Sequence, residues 1–430
     1  MAEATLVVRG GRLVDAAGER VADVTVSGGH VTAVGTDLPV PPGARVLDAR
    51  GCVVAPGLVD LHTHLRQPGR EEAETVETGA RAAALGGYTA VVAMPNTDPP
   101  LDCAGAVREV LELARDAACE VRVAGAITRG RRGESLAPMA EMAALGVRLF
   151  TDDGDGVQDG ALMRRALEYS SDLGVTVAQH CEDAALAAGG HMHEGEWSSR
   201  LGIPGAPAAA EEVMVGRDLA LLAITGRARL HLQHLSTAGS VAALRSARAE
   251  GLAVTAEAAP HHFSLTDAAV ASYDPVFKVN PPLRPQAHVD AVVAGLGDGT
   301  LDAIATDHAP HPPEEKERPF DQAPPGMLGL ETALALALTE LDLPLQRVLA
   351  LMSWQPARIA GLESTHGGPI VESRPANLCV IDPAATWEVD PARLASRSRN
   401  TPFVGRKLTG RVRHTVLRGE PVVVDGEAVR

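Results

Sequence analysis

The sequence predicts an α/β protein: a (β/α)8 barrel of the TIM type joined to a small β-sandwich built from both chain ends. Three observations point there. The middle of the chain alternates apolar strand-like runs with Ala/Leu/Arg/Glu-rich helical runs, and eight strand candidates can be counted. The two ends instead read as short strands between glycine-bearing turns. The length fits as well: 430 residues, 45% of them hydrophobic, can fill a barrel core of about 250 residues and leave enough for an accessory domain.

Taken in order, Leu6–Arg9, Gly11–Val14, Val24–Val26 and His30–Val34 are the N-terminal β runs. The first barrel strand is the apolar run from Val53 that ends at His62 and His64. The next seven are Thr89–Met94, Val121–Ile127, Val147–Phe150, Val175–Gln179, Leu230–Gln233, Leu252–Glu257 and Ala303–Thr306. Helical patterns at Thr75–Leu85, Ala104–Ala117, Leu162–Leu173, Ala209–Ile224 and Ser240–Glu250 separate most of them, which is the parallel βα repeat. The stretches Glu182–Glu211 and Pro260–Leu301 are long and follow strand ends, where active-site loops of a barrel belong. Asn377–Asp382, Val412–Arg418 and Pro421–Val424 return to β pattern. The expected division is therefore 1–54 for the first part of the β-sandwich, 55–365 for the barrel and 366–430 for the second part.

Composition removes several function classes. A net charge of −16 disfavours a nucleic-acid partner, which needs a basic face. It leaves room for an anionic small molecule, since one local arginine can bind a carboxylate. The five cysteines are widely spaced and form no CxxC, so neither a disulfide framework nor a zinc knuckle is expected. The first residues lack a basic segment followed by an apolar one, and no apolar run reaches the ~18 residues of a membrane span. The expectation is a soluble, cytoplasmic protein.

The chemistry gathers at the predicted barrel mouth. Residues i and i+2 of a strand share a face, so His62 and His64 aim two imidazoles at one point. Asp153, His180, His234 and Asp307 stand at four further strand ends. Catalytic residues of this fold come from such ends. Four histidines and two aspartates, all N and O donors, suit zinc or a similar divalent ion. They exceed what one tetrahedral ion needs, and two ions sharing a carboxylate would use them all.

These residues also carry a resemblance. The stretches Pro56–Arg66, Met94–Thr97, Phe150–Gly154, Pro260–Phe263, Asn280–Arg284 and Ala305–His311 are similar to motifs of the amidohydrolase superfamily and, within it, of bacterial dihydroorotases. The likeness extends over nearly the whole chain. It implies that His62, His64 and Asp307 bind one Zn2+, that His180 and His234 bind a second, and that Asp153 bridges them. Many relatives carry a carboxylated lysine at that bridging position. Val147–Gly154 holds no lysine, which fits the dihydroorotase class with aspartate there and leaves one- and two-metal forms open. Asp152 is the alternative bridge, pointing to the opposite face.

The resemblance further implies that His64, Arg66, Asn96 and His311 contact the substrate. Arg66 would grip its carboxylate, with Asn96 and His311 beside it, and a planar guanidinium at the mouth suits that task. Asn280, Pro325 and Gly326 would contact the substrate mostly through backbone. Asp307 would be the catalytic base. The implied reaction is the reversible hydrolysis of the ring amide of (S)-dihydroorotate to N-carbamoyl-L-aspartate, in the pyrimidine (UMP) pathway. The implied partners are that small molecule, a second copy of the chain in a dimer, and aspartate transcarbamoylase. The rival readings are a dihydropyrimidinase or hydantoinase, an allantoinase, or a non-catalytic relative that scaffolds aspartate transcarbamoylase. Arg66, Asn96 and the missing lysine speak against the first three, and the full His/Asp set against the last. His261 and His262 are expected to be loop or packing residues, His191 and His193 solvated loop residues, and Glu314–Arg318 a solvated segment near the mouth.

Overall fold

A computed structural model describes residues 5–430. Strands β1 (Thr5–Asp15), β2 (Gly18–Ser27), β3 (His30–Gly35), β4 (Arg45–Asp48) and β5 (Val53–Pro56) open the chain. The barrel strands follow: β6 (Leu58–Thr63), β7 (Tyr88–Ala93), β8 (Glu120–Val123), β9 (Leu149–Phe150) and β10 (Thr176–Gln179). Two short strands, β11 (Met192–His193) and β12 (Gly205–Ala206), pair with each other in the loop beyond β10. The barrel resumes with β13 (Arg229–Leu232), β14 (Val254–Ala258) and β15 (Ala303–Ile304). The chain closes with β16 (Leu378–Glu388), β17 (Lys407–Leu417), β18 (Glu420–Val424) and β19 (Glu427–Ala428).

All pairings from β6 to β8 and from β9 to β15 are parallel. Parallel bridges Gly125–Phe150 and Thr63–His308 join the two groups and close the cylinder. Residues alternate between its two faces, as a strand must. Val91, Ala93, Val121, Val123 and Val177 belong to the large core shared with helix residues such as Val107, Met163 and Leu219. Ala90, Val92, Ala124 and Ala178 belong to a second core. Most of these are small, which is what a barrel interior admits.

The helices start where local chemistry favours them. Thr75 caps Val76–Leu85 by accepting the Thr78 N–H, and Asp159 caps Gly160–Leu173. Gly174 ends the latter helix at φ 65°, a left-handed value that glycine adopts without strain.

The two chain ends do come together. Strands β1–β5 and β16–β19 hydrogen-bond into one nine-stranded sheet, with β5 between β1 and β16. It has a core of its own, including Leu6, Val24, Val54, Leu378 and Val416. Its other face merges with the barrel through Cys379, Ile381, Leu408 and Val412. The eighth barrel strand is shorter than the sequence suggests, because Thr306 leaves the ladder to donate its N–H and hydroxyl to Asp60, at 2.7 and 2.6 Å. The fourth is also short. The chain turns after Phe150 so that Asp152 can accept the Ile127 and Thr128 N–H groups, at 2.8 and 3.0 Å.

Two loop expectations are corrected. His193 is not solvated: it is buried in β11, with Nδ1 3.0 Å from Arg284 Nη1. The run Glu314–Arg318 is solvated only in part: Glu314, Glu317 and Arg318 are exposed, whereas Glu315 and Lys316 are half-buried. Pro313–Lys316 is a short helix, and the Lys316 ammonium donates to the carbonyls of Pro275, Lys278 and Pro324. His261 and His262 lie buried in the short helix Pro260–Ser264, where His262 Nε2 pairs with the Pro281 carbonyl at 3.0 Å.

Candidate metal centre and substrate pocket

Strand ends bring six side chains to one buried point. His62 Nε2 lies 3.2 Å from Asp153 Oδ1 and 3.5 Å from Asp307 Oδ1. His64 Nε2 lies 3.2 Å from Asp307 Oδ1 and 3.6 Å from Asp153 Oδ2. His180 Nδ1 and His234 Nε2 are each 3.7 Å from Asp153 Oδ1 and 2.9 Å from one another. Two triads have ligand atoms within 4.8 Å: His62, His64, Asp307 and His62, Asp153, His234. His62 belongs to both. His180 stands outside them, with its Nε2 3.3 Å from Asn280 Nδ2.

The donor set fits a divalent ion on an observation of its own. His62 Nε2 and His234 Nδ1 are buried and have no hydrogen-bond partner among the described residues. Buried polar atoms are almost always paired, so the orphaned His62 Nε2, set beside the Asp153 and Asp307 carboxylates, is what a cation would complete. The electrostatics agree. Burial opposes charge on His62, yet Asp153 and Asp307 outweigh it and push its pKa well above the usual imidazole value. Burial would likewise raise both carboxyls, but the surrounding histidines hold Asp153 and Asp307 low. The backbone is also forced here: Arg66, His234 and Asp307 have φ of 60°, 32° and 47°, values that side-chain-bearing residues rarely adopt.

Asp153 and Asp152 point to different places. Asp153 faces all four histidines, whereas Asp152 takes backbone N–H groups and the Thr128 hydroxyl. One supporting residue escaped the sequence reading. Glu257, in β14, pairs with His62 Nδ1 and His231 Nε2, both at 3.0 Å. Burial raises its carboxyl, but the His231 and His62 bonds prevail and hold it down at about 2. A carboxylate on Nδ1 fixes the ring so that Nε2 faces the centre, the usual way a ligating histidine is oriented. The available signal was an acidic residue inside an apolar strand.

Of the expected substrate residues, Asn96 and Asn280 contact the cluster, and Arg66, Pro325 and Gly326 gather around His311. Arg66 Nε donates to the Pro310 carbonyl at 3.1 Å, and its Nη2 lies 3.3 Å from His311 Nε2. Burial pushes the guanidinium down to about 10, so it is still charged at neutral pH. Asn96 uses its amide to pair with His64 Nδ1 at 2.9 Å and to donate to Asp153 Oδ2 at 3.4 Å. Asn280 donates toward Glu182 Oε1 at 3.3 Å. The Pro325 carbonyl lies 2.9 Å from His311 Nε2. Gly326, at φ 134°, leaves no room for a side chain: a Cβ would sit 2.7 Å from Ala309 Cβ and 3.0 Å from His311 Nε2.

Known proteins match this chain from end to end. A profile of dihydro-orotase-like proteins matches residues 51–240. The dihydroorotase of Streptomyces coelicolor is 50% identical over 428 residues, 98% of this chain and 99% of that protein. The dihydroorotase of Pelotomaculum thermopropionicum is 49% identical over 427 residues, with 98% and 99% covered. The chain belongs to the dihydroorotase family. Solved structures extend the kinship. The L-hydantoinase (dihydropyrimidinase) of Arthrobacter aurescens superposes with a TM-score of 0.89 at 26% identity, over 100% of this chain and 98% of that one. The dihydropyrimidinase of Brevibacillus agri gives 0.86 at 25% identity, over 99% and 96%. The fold is thus the amidohydrolase barrel with its β-sandwich domain. Among the described residues no helix is long and apolar enough to cross a membrane.

Proposed function

We propose that this chain hydrolyses the ring amide of (S)-dihydroorotate to N-carbamoyl-L-aspartate, and closes the ring in the reverse direction of pyrimidine synthesis. The observation that carries the reading is Arg66 set near a buried His/Asp cluster in which His62 Nε2 is orphaned. The cluster supplies hydrolysis, and the arginine selects a carboxylate-bearing ring over an uncharged hydantoin. In this reading His62, His64, Asp153, His180, His234 and Asp307 hold one or two Zn2+. When bound, the metal supplies water activated at neutral pH and polarises the ring carbonyl.

The chain's own residues do the rest. Arg66, Asn96 and His311 hold the ring carboxylate and so turn the correct carbonyl inward. Backbone at Asn280, Pro325 and Gly326 lines the ring. Asp307 accepts the proton of the attacking water and hands it to the leaving ring nitrogen. Its carboxylate stands 3.2 Å from His64 Nε2, at the heart of the cluster. Ring closure uses the same groups in reverse.

The family likeness adds a homodimer, an aspartate transcarbamoylase partner and a cytoplasmic setting to the proposal. Light scattering of the chain alone and with that partner tests the first two. Loss of dihydroorotate absorbance on adding the enzyme tests the activity, with an uncharged hydantoin as the competing substrate.

A further inference from the structure

The substrate end of the pocket contains a relay of four side chains that the reaction above uses only in part. Arg70 Nη2 donates to Glu315 Oε1 at 2.6 Å. Glu315 Oε2 lies 2.8 Å from His311 Nδ1. His311 Nε2 in turn lies 2.9 Å from the Pro325 carbonyl oxygen and 3.3 Å from Arg66 Nη2. Arg66 and Arg70 follow β6, whereas His311 and Glu315 follow β15, so the relay spans the seam where the barrel closes. Asn400 fixes the backbone beneath it: its Oδ1 accepts the His311 N–H at 3.1 Å, and its Nδ2 donates to Ala309 and Gly326 carbonyls at 3.0 and 3.2 Å.

Hydrogen-bond valence restricts the ring. An ionised carboxylate only accepts, so Glu315 calls for a proton on His311 Nδ1. A neutral ring then carries a bare lone pair on Nε2. That lone pair suits Arg66 but faces the Pro325 carbonyl oxygen without a proton between them. It would also repel a substrate carboxylate held between Arg66 and His311. Only a second proton lets Nε2 donate.

The charged groups around the ring decide when that proton arrives. Arg66 faces it from the loop after β6, with Arg70 behind Glu315. Glu315 and Lys316 face it from the short helix Pro313–Lys316. Burial first, then Arg66 and Lys316, outweigh Glu315 and hold His311 down at about 3, which leaves it neutral in the free protein at neutral pH. An arriving carboxylate would offset Arg66 and place a second anion beside the ring, reversing the balance.

We propose that Glu315, braced by Arg70, is a positioning residue that fixes His311 as the Nδ1–H tautomer, so that the substrate carboxylate binds together with one proton. The proton comes from solvent and forms an N–H bond at Nε2. The resulting imidazolium lies between two anions, Glu315 and the bound carboxylate. This inference rests on the proposed substrate class.

Calorimetric titration of the full chain with orotate, an oxidised analogue bearing the same ring carboxylate, counts the protons when run in buffers of different ionisation enthalpy. Wild type should take up about one proton per orotate, and its Kd should weaken about tenfold per pH unit around neutrality. In Glu315→Gln the amide can donate to Nδ1 and leave a neutral ring with Nε2–H, so uptake should vanish and the pH slope flatten. His311→Asn, which keeps a polar side chain but no titrating ring, should also lose the uptake. Orotate binding without proton uptake in wild type overturns the proposal, as does uptake retained in either variant. If wild type hydrolyses dihydroorotate yet binds orotate without a proton, this inference alone fails. If it neither binds orotate nor hydrolyses dihydroorotate, the functional reading fails and takes the inference with it.

Discussion

Glu257 and His62 form a buried pair in which the carboxylate lies 3.0 Å from His62 Nδ1 and turns Nε2 toward Asp153 and Asp307. The second carboxylate oxygen is held by His231, and the pair is fully enclosed. This places the orientation of the first proposed ligand under the control of a residue on the seventh barrel strand. That strand supplies none of the proposed ligands itself.

Glu257→Ala should therefore weaken metal binding by about 10–100-fold, the usual consequence of removing the carboxylate behind a ligating histidine. Competition with a chelator, read as metal retained against chelator concentration, measures it. Unchanged retention would mean that His62 does not depend on Glu257 for its orientation.

Asp307→Asn should leave the fold intact and lower kcat by about 10²–10⁴-fold, the range expected when a positioned proton acceptor is lost. Circular dichroism alongside steady-state kinetics separates the two effects. Wild-type turnover in this variant would remove Asp307 from the role of base.

Arg66→Met should raise KM for dihydroorotate on the order of 100-fold, with a smaller change in kcat, because in the proposed complex the guanidinium grips a group remote from the scissile bond. If KM for dihydroorotate stayed at the wild-type value, the carboxylate would be bound elsewhere.

Stability should depend on pH through Glu120. This β8 residue is bonded by Arg122 and Arg418 at 2.6 Å each and lies 3.3 Å from His366, tying the barrel to the terminal sheet. Burial raises its carboxyl, but His366 and the two arginines prevail and hold it well below the ordinary glutamate value. A carboxyl depressed in the folded state stabilises above its unfolded pKa, and that contribution is lost as pH falls through the folded value. Glu120→Gln should thus cost about 1–3 kcal/mol at neutral pH. Melting curves of the two proteins should converge as the solution is acidified. A gap independent of pH would contradict the assignment.

Much of this was legible in the sequence because period and position carry it. The eight strands declared themselves as apolar runs, and His62, His64, Asp153, His180, His234 and Asp307 were found at strand ends. What escaped depends on contacts between distant segments. Glu257 meets His62 across 195 positions, and Glu315 meets Arg70 across 245. His193 reads as a solvated residue in a glycine-bearing loop because nothing local reveals that Gly205–Ala206 will pair with it or that Arg284 will reach it. The choice between Asp152 and Asp153 was open on alternation alone. The structure separates them by where the Ile127 and Thr128 N–H groups lie.

In the proposed reaction a buried His/Asp cluster holds a metal with which this chain opens a carboxylated ring. The most direct measurement follows dihydroorotate by ultraviolet absorbance while the metal content of the same sample is varied by chelation and readdition of Zn2+. Hydrolysis should fall with metal removal and return with Zn2+, with little turnover of an uncharged hydantoin. Dihydroorotate left intact by metal-loaded protein, or hydrolysis undiminished after the metal is gone, would contradict it.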